Sequence, residues 1–221
     1  MRQFSVELDD LHQKVLQMGG QVESAIHRSV RALVDRDPEQ ARQVLRDEAR
    51  VNQMEMEIDN LTTRLLALRQ PMAKDLRFLT AAMKINTDLE RMGDLAVNIA
   101  QRALSLIAQT PVKALIDIPR MAQLVEGMLL RSLDAFVKGD ANIATSVLQS
   151  DDDVDAFRDS IYQELVGVMQ KDPTTVPAAV DLIFVARNLE RIADHATNIS
   201  EDVVFLVKGV DVRHHAAEGH D

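Results

Sequence analysis

The chain has 221 residues, 35 acids against 25 bases for a formal net charge of −10, and no cysteine or tryptophan. That charge opposes non-specific binding to nucleic acid and to anionic lipid, and the missing cysteine excludes disulfides, thiolate metal sites and a cysteine nucleophile. Aromatic residues make up 3% of the chain, and Leu, Ala, Val, Met, Asp, Glu and Arg dominate, so an all-helical protein with an aliphatic core is expected. Nothing near Met1 resembles a signal peptide and no apolar run is long enough to span a bilayer, which predicts a soluble cytoplasmic protein.

In chain order, the punctuation residues predict helical blocks over 5–35, 38–69, 72–109, 118–138, 141–170 and 176–208. Gly19-Gly20 marks a kink or soft point inside the first block. Asp37-Pro38 opens the second as an N-cap followed by proline at the first helical position, and Gln70-Pro71 closes it. Thr110-Pro111 to Pro119 is expected to be a loop. Gly139-Asp140 repeats the cap signal of Asp37. Asp172-Pro173, with Thr174, Thr175 and Pro177, ends the fifth block, and Gly209 ends the sixth. The tail from Asp211, carrying His214, His215 and His220, is expected to fray.

An internal repeat organises these blocks. Shifted by 103 positions, residues 22–41 match 125–144 at eight of twenty positions. "LERMGDLAVNI" from Leu89 matches "LERIADHATNI" from Leu189 at seven of eleven, now with a shift of 100. The fold predicted is all-α, a tandem duplication of a three-helix bundle with six long helices. The division expected is 1–110 for the first repeat, 111–210 for the second and 211–221 for the tail. Within the third block Ile85, Leu89, Met92, Ala96, Ile99, Ala103 and Leu106 alternate steps of four and three, as do Val185, Leu189, Ile192, Ala196, Ile199, Val203 and Leu206 in the sixth. That 3.5-residue average marks helices packed at shallow angles.

With Leu89 and Met92 on the seam, helical geometry turns Glu90, Asp94 and Asn98 away from it, and Glu190, Asp194 and Asn198 likewise. Acids at i, i+4 are common on solvated helix faces, and on that reading the rows mean nothing. But like charges at this spacing repel by a few tenths of a kcal/mol, so helix stability gives no reason to write them twice with the same Arg and Asn. The preceding helix of each half offers a partner row, Asp151 and Asp155 in the second half, Glu48 and Asn52 in the first. Brought together, such carboxylates suit hard or borderline cations such as iron, manganese, magnesium or zinc, with the first site weakened by Asn52. The metal-ligand candidates are therefore Glu48, Glu90, Asp94, Asp151, Asp155, Glu190 and Asp194.

A carboxylate-bridged metal enzyme or metal-storage bundle is the rival reading. Such bundles place a Glu-x-x-His pair on core positions, and no Glu in the proposed helices has His three residues later. His195 follows Asp194 but matches Leu95, which favours a packing or peripheral role over a ligand. No nucleophile–base arrangement, glycine-rich phosphate loop or Walker pattern occurs, so no catalytic or cofactor-binding residue is assigned.

The stretches "MGGQVESAI", "VNQMEMEID", "LRQPMAKDLR", "DLERMGDLAVNIA", "NLERIADHATNI" and "VKGVDVRH" together resemble the PhoU family of phosphate-uptake regulators, from about residue 4 to His214. The resemblance implies two similar three-helix bundles with paired Glu/Asp-x-x-x-Asp motifs able to hold surface metal clusters. It implies a non-enzymatic negative regulator linking the ATPase subunit of the phosphate ABC transporter to the sensor histidine kinase of the phosphate two-component system. Membrane association is then through partners only, and a homodimer is expected.

Overall fold

The computed structural model describes residues 2–112, 117–210 and 212. It contains seven α-helices: α1 (Arg2–Asp35), α2 (Pro38–Arg69), α3 (Ala73–Ile107), α4 (Asp117–Lys138), α5 (Ala141–Leu148), α6 (Asp151–Lys171) and α7 (Val176–Lys208), with one 3-10 turn at Pro173–Thr175. The helix starts follow the expected caps. Asp37 accepts a hydrogen bond from the Glu39 amide at 2.9 Å ahead of Pro38, and Asp140 accepts from the Asn142 amide at 2.8 Å, each satisfying an amide the helix leaves unpaired. Gln70 and Gly209, both left-handed, close α2 and α7. The tail histidines lie outside the described residues.

Three expectations change. The glycine pair does not interrupt α1, which runs unbroken from Arg2 to Asp35. Gly19 instead permits a close approach: a Cβ there would lie 2.5 Å from Leu133 Cδ1 of α4. Pro119 belongs to the first turn of α4, not to the preceding loop, because a first-turn residue has no intrahelical amide bond to lose; residues 113–116 of that loop lie outside the described residues. The block 141–170 is two helices. At Gln149-Ser150 the chain tightens, the Ser150 amide bonding Val147 O at 2.9 Å, while the Ser150 hydroxyl donates to Ser146 O and accepts from Arg131 Nη2 at 2.9 Å. Asp151, Asp152 and Asp153 thereby become the first turn of α6, where negative charge is favoured by the helix dipole.

Both seams are core. Ile85, Leu89, Met92, Ala96, Ile99 and Ala103 are fully buried, as are Val185, Leu189, Ile192, Ala196, Ile199 and Val203. The two repeats share one continuous apolar core, and α3 against α7 is the most extensive helix pairing in the molecule. The pairing is antiparallel: Lys84 Nζ meets Asp202 Oδ1 at 2.8 Å, and at the other end Arg102 Nη1 meets Asp181 Oδ1 at 2.8 Å. The repeat shift of 100 maps Lys84 onto Phe184 and Asp202 onto Arg102. The Lys84–Asp202 ion pair is therefore the pseudo-twofold mate of the Arg102 guanidinium stacked 4.7 Å from the Phe184 ring centroid, a cation–π contact in place of a salt bridge. The pseudo-twofold axis passes between α3 and α7 at the level of Met92 and Gly93 on one and Ile192 and Ala193 on the other, midway between these two pairs.

Candidate cation-binding and docking rows

Because the axis passes between α3 and α7 at the level of the duplicated motif, the two acidic rows lie beside the middle of the inter-repeat join. Glu90 and Glu190 are half-buried, and Asp94 and Asp194 are exposed, as their phase opposite the seam requires. Each row has a neighbour on the preceding helix.

In the second repeat the expected residues converge. Asp151, half-buried at the start of α6, is pushed above the usual carboxylate range by burial, then by Asp194, Asp155, Asp152 and Glu190. Partial burial and Glu190 likewise push Asp194 up, with His195 and Arg158 opposing. Arg158, which the spacing of the acids does not single out, places its Nη1 2.8 Å from both Asp155 Oδ1 and Glu190 Oε1. Its Nη2 meets Asp159 Oδ1 at 3.0 Å. Arg158 thus holds the fourth corner of the cluster as its counter-charge.

In the first repeat the arrangement differs. Glu48 and Asn52 lie half-buried on α2, and the next residue of the row is Glu55, which the shift of 103 maps onto Arg158. Burial raises Glu55 first, then Asp59 and Asp94 beside it. Glu90 is raised by burial, then by Asp94 and Glu55, against smaller opposing pulls from Arg91 and His195. Glu55 therefore supplies the acid that Asn52 lacks, one turn further along α2. Extending the Glu48–Asn52 row by three residues in "VNQMEMEID" would have found it. Asn86, fully buried, donates to Asp59 Oδ1 at 2.9 Å and to Glu55 O at 3.1 Å, tying α3 to this stretch of α2. Among the described residues no Lys or Arg forms an ion pair with Glu48, Glu55, Glu90 or Asp94.

His195 sits between the two rows. It is 8% exposed, and its Nδ1 lies 2.7 Å from Oδ1 of Asp88, also 8% exposed, on the opposite helix. Asn198 donates to the same oxygen at 3.3 Å, so its side chain serves the inter-repeat contact and does not extend the acidic row. The shift of 100 maps Asp88 and His195 onto Asn188 and Leu95, so this buried polar pair occurs only once.

Among the described residues no three His, Asp or Glu side chains are gathered closely enough to hold a metal ion as they stand. The donor chemistry nevertheless fits a cation. Carboxylates of like charge are held together, with Glu55, Glu90, Asp151 and Asp194 pushed up by partial burial and by their neighbours, and a positive charge relieves that repulsion. In the second repeat Arg158 already supplies it; in the first repeat nothing equivalent does.

Two expectations follow. Acids whose native pKa values are raised bind more protons folded than unfolded in the interval between the two pKa values, so stability falls as pH rises through it. For Glu55, Glu90, Asp151 and Asp194, the stability of the chelator-treated protein should fall as pH rises from the ordinary carboxylate range, a direction reinforced by the self-repulsion of a −10 chain and opposed nearer neutrality by His12, which burial holds below the usual imidazole range. The carboxyls held low by partners, Glu7, Glu39, Glu57 and Asp172, lose their contribution only further into acid. Thermal melts across that range check this, and a melting temperature rising with pH would be the wrong sign. Secondly, Arg158→Glu, which installs the residue of the matching first-repeat position, should cost about 1 kcal/mol in urea melts in chelator, because Asp155, Asp159 and Glu190 lose their partner together. A stability equal to wild type would show that Arg158 does not hold the cluster.

A duplicated all-α scaffold, with two helical units joined back to back through the antiparallel α3 and α7 and an acidic row repeated beside the join, defines a helical-repeat protein. A family model described as the PhoU domain matches the chain twice, over residues 15–103 and 118–203, and the chain belongs to the PhoU family. A Pseudomonas aeruginosa protein named "Phosphate-specific transport system accessory protein PhoU homolog" is 41% identical over 96% of this chain and 88% of its own length. The crystal structure of PhoU from Pseudomonas aeruginosa superposes with a TM-score of 0.91 at 40% identity, covering 94% of this chain and 100% of that one. The crystal structure of the phosphate transport system regulatory protein PhoU from Streptococcus pneumoniae gives a TM-score of 0.88 at 32% identity, covering 95% and 99%. Among the described residues no helix is long and apolar enough to cross a membrane.

Proposed function

We propose that this protein is a negative regulator of phosphate uptake and of phosphate-starvation gene expression. In this reading it works without catalysis, as a cytoplasmic adaptor between the ATPase subunit of the phosphate ABC transporter and the sensor histidine kinase of the phosphate two-component system. The observation that carries the reading is the acidic row written twice and set on either side of the α3–α7 join. A feature fixed to both repeats at their junction is placed to report one partner's state to another. Family membership and the accessory and regulatory names of the relatives support the same direction. The net charge of −10 complements basic surfaces on partners, and a homodimer is the proposed assembly.

Metal binding belongs to the proposal. Glu48, Glu55, Glu90 and Asp94 would hold an ion in the first repeat, and Asp151, Asp155, Glu190 and Asp194 in the second, once Arg158 is displaced from Asp155 and Glu190. A bound iron, zinc, manganese or magnesium ion supplies compensating positive charge there. The chain's own contribution is to keep four oxygen donors per repeat at the edge of a rigid core, so that their net charge sets the docking face.

Affinity capture from a membrane extract tests the adaptor role. Transporter ATPase and histidine kinase are expected among the captured proteins, and deletion of the gene is expected to leave phosphate-starvation genes expressed in phosphate-rich medium. Capture of neither partner, with normal repression after deletion, would sink the reading.

A further inference from the structure

The pseudo-twofold axis relates two clefts at opposite ends of the α3–α7 pair, and they have diverged. The first, of about 230 Å³, is bounded by Leu33, Val34, Leu106, Ile107 and Ala178. Arg36 closes it: in a left-handed backbone with φ 53, its Nη2 donates to Ile107 O at 2.6 Å and to Gln109 O at 2.7 Å. The second cleft, about 570 Å³, is bounded at the matching positions by Phe136, Val137, Leu206, Val207 and Phe78. Gly139, with φ 60, stands where Arg36 stands in its mate, so no side chain closes it.

What replaced the seal is chemistry suited to a ligand. Lys74 and Arg77 from α3 and Lys138 from α4 line the cleft, three bases on a protein of net charge −10, with Asp9 and Asp75 as its acids. Lys138 pairs with Asp134 at 2.8 Å, and Arg77 Nε reaches Leu206 O only at 3.4 Å. The wall is aromatic. Phe78 and Phe136 lie 7° from parallel with centroids 5.7 Å apart, and His12 stands edge-on to Phe136 at 4.8 Å. The His12 Nε2 is buried without a hydrogen-bond partner. Helix α3 also starts here without a side-chain cap, so its first-turn amides add positive potential. Volume, aromatic lining and a few charged groups from separate helices are the features of a small-molecule site.

We propose that this second cleft binds a nucleoside mono- or diphosphate. The base packs on Phe78 and His12, which the buried Phe136 backs, and the phosphates lie among Lys74, Arg77 and Lys138. Asp9 and Asp75 accept from the ribose hydroxyls. Recognition is by side chains and a helix start, which agrees with the absence of any glycine-rich phosphate loop in the sequence.

The test is titration of the full chain with N-methylanthraniloyl-ADP, followed by displacement with ADP, AMP, adenosine and orthophosphate. Saturable binding is expected, displaced by ADP and AMP, with adenosine and orthophosphate weaker by about tenfold or more. Gly139→Arg should weaken binding by a similar factor while leaving the protein folded, since Arg36 occupies the same backbone conformation in the mate. Arg77→Gln should do likewise, and Lys74→Gln, on an exposed first turn, gives the same reading should either of the others unfold. Absence of saturable binding would overturn the proposal. So would displacement by orthophosphate as effective as by ADP, or undiminished affinity in folded Gly139→Arg.

Discussion

Ile192→Ala is expected to lower the unfolding free energy by about 2–5 kcal/mol, the range for truncating a fully buried isoleucine where the surroundings collapse only partly. Ile192 is fully buried at the level of the pseudo-twofold axis, with its repeat mate Met92 fully buried on α3. The cavity would open in the face that joins the repeats, not at the edge of one of them. For a chain of this length each kcal/mol moves the melting temperature by about 2–4 °C, so a drop on the order of 10 °C is expected. Since the core is continuous across both repeats, the variant should still unfold in one transition with an unchanged urea m-value. Chemical denaturation followed by circular dichroism measures both quantities. A loss below 1 kcal/mol, or two separated transitions in the wild type, would mean that the repeats are independent units that merely touch.

Asp88→Ala should cost about 2–3 kcal/mol, for a different reason. Its carboxylate is the acceptor for both His195 and Asn198, so removing it leaves the buried His195 ring nitrogen without a partner at the inter-repeat surface, while the exposed Asn198 can turn to water. Asp88→Asn, which copies Asn188, keeps an acceptor oxygen and should cost less. His195→Leu, which copies Leu95, should recover part of the loss when combined with Asp88→Ala, because removing both polar partners restores an apolar contact. The double-mutant cycle should give a coupling energy of about 1–3 kcal/mol. Additive effects would show that the 2.7 Å pair contributes nothing specific.

The fold was legible because its rules are local and periodic. Asp37 and Asp140 announced their caps, and the four-three spacing from Ile85 and Val185 placed both seams correctly. Duplication meant that each half checked the other. The errors arose where two physical causes share one sequence signal. Gly19 marks a close helix approach inside an uninterrupted α1, and only the position of Leu133 reveals it. The break at Gln149-Ser150 carries no Gly or Pro and depends on Arg131, a residue on another helix. For the candidate site, helical phase correctly turned Glu90, Asp94, Glu190 and Asp194 outward. Glu55 was within reach of the same spacing, three residues beyond Asn52, but spacing within one row could not reveal Arg158 as the base inside the second cluster. Nor could it show Asp88 and His195 meeting across 107 residues of sequence.

The central claim is that the duplicated acidic rows carry the regulatory function. It is tested most directly by replacing the chromosomal gene with a variant carrying Glu55→Gln, Glu90→Gln, Asp94→Asn, Asp151→Asn and Asp194→Asn. These changes remove charge from both rows with little change of shape, and relieve the burial penalty and the repulsion that together raise four of these carboxyls. The folded protein should therefore accumulate normally. A phosphate-starvation reporter measured in phosphate-rich medium, at matched protein abundance, should be expressed as in the deletion strain; full repression, as in the wild type, would contradict the account.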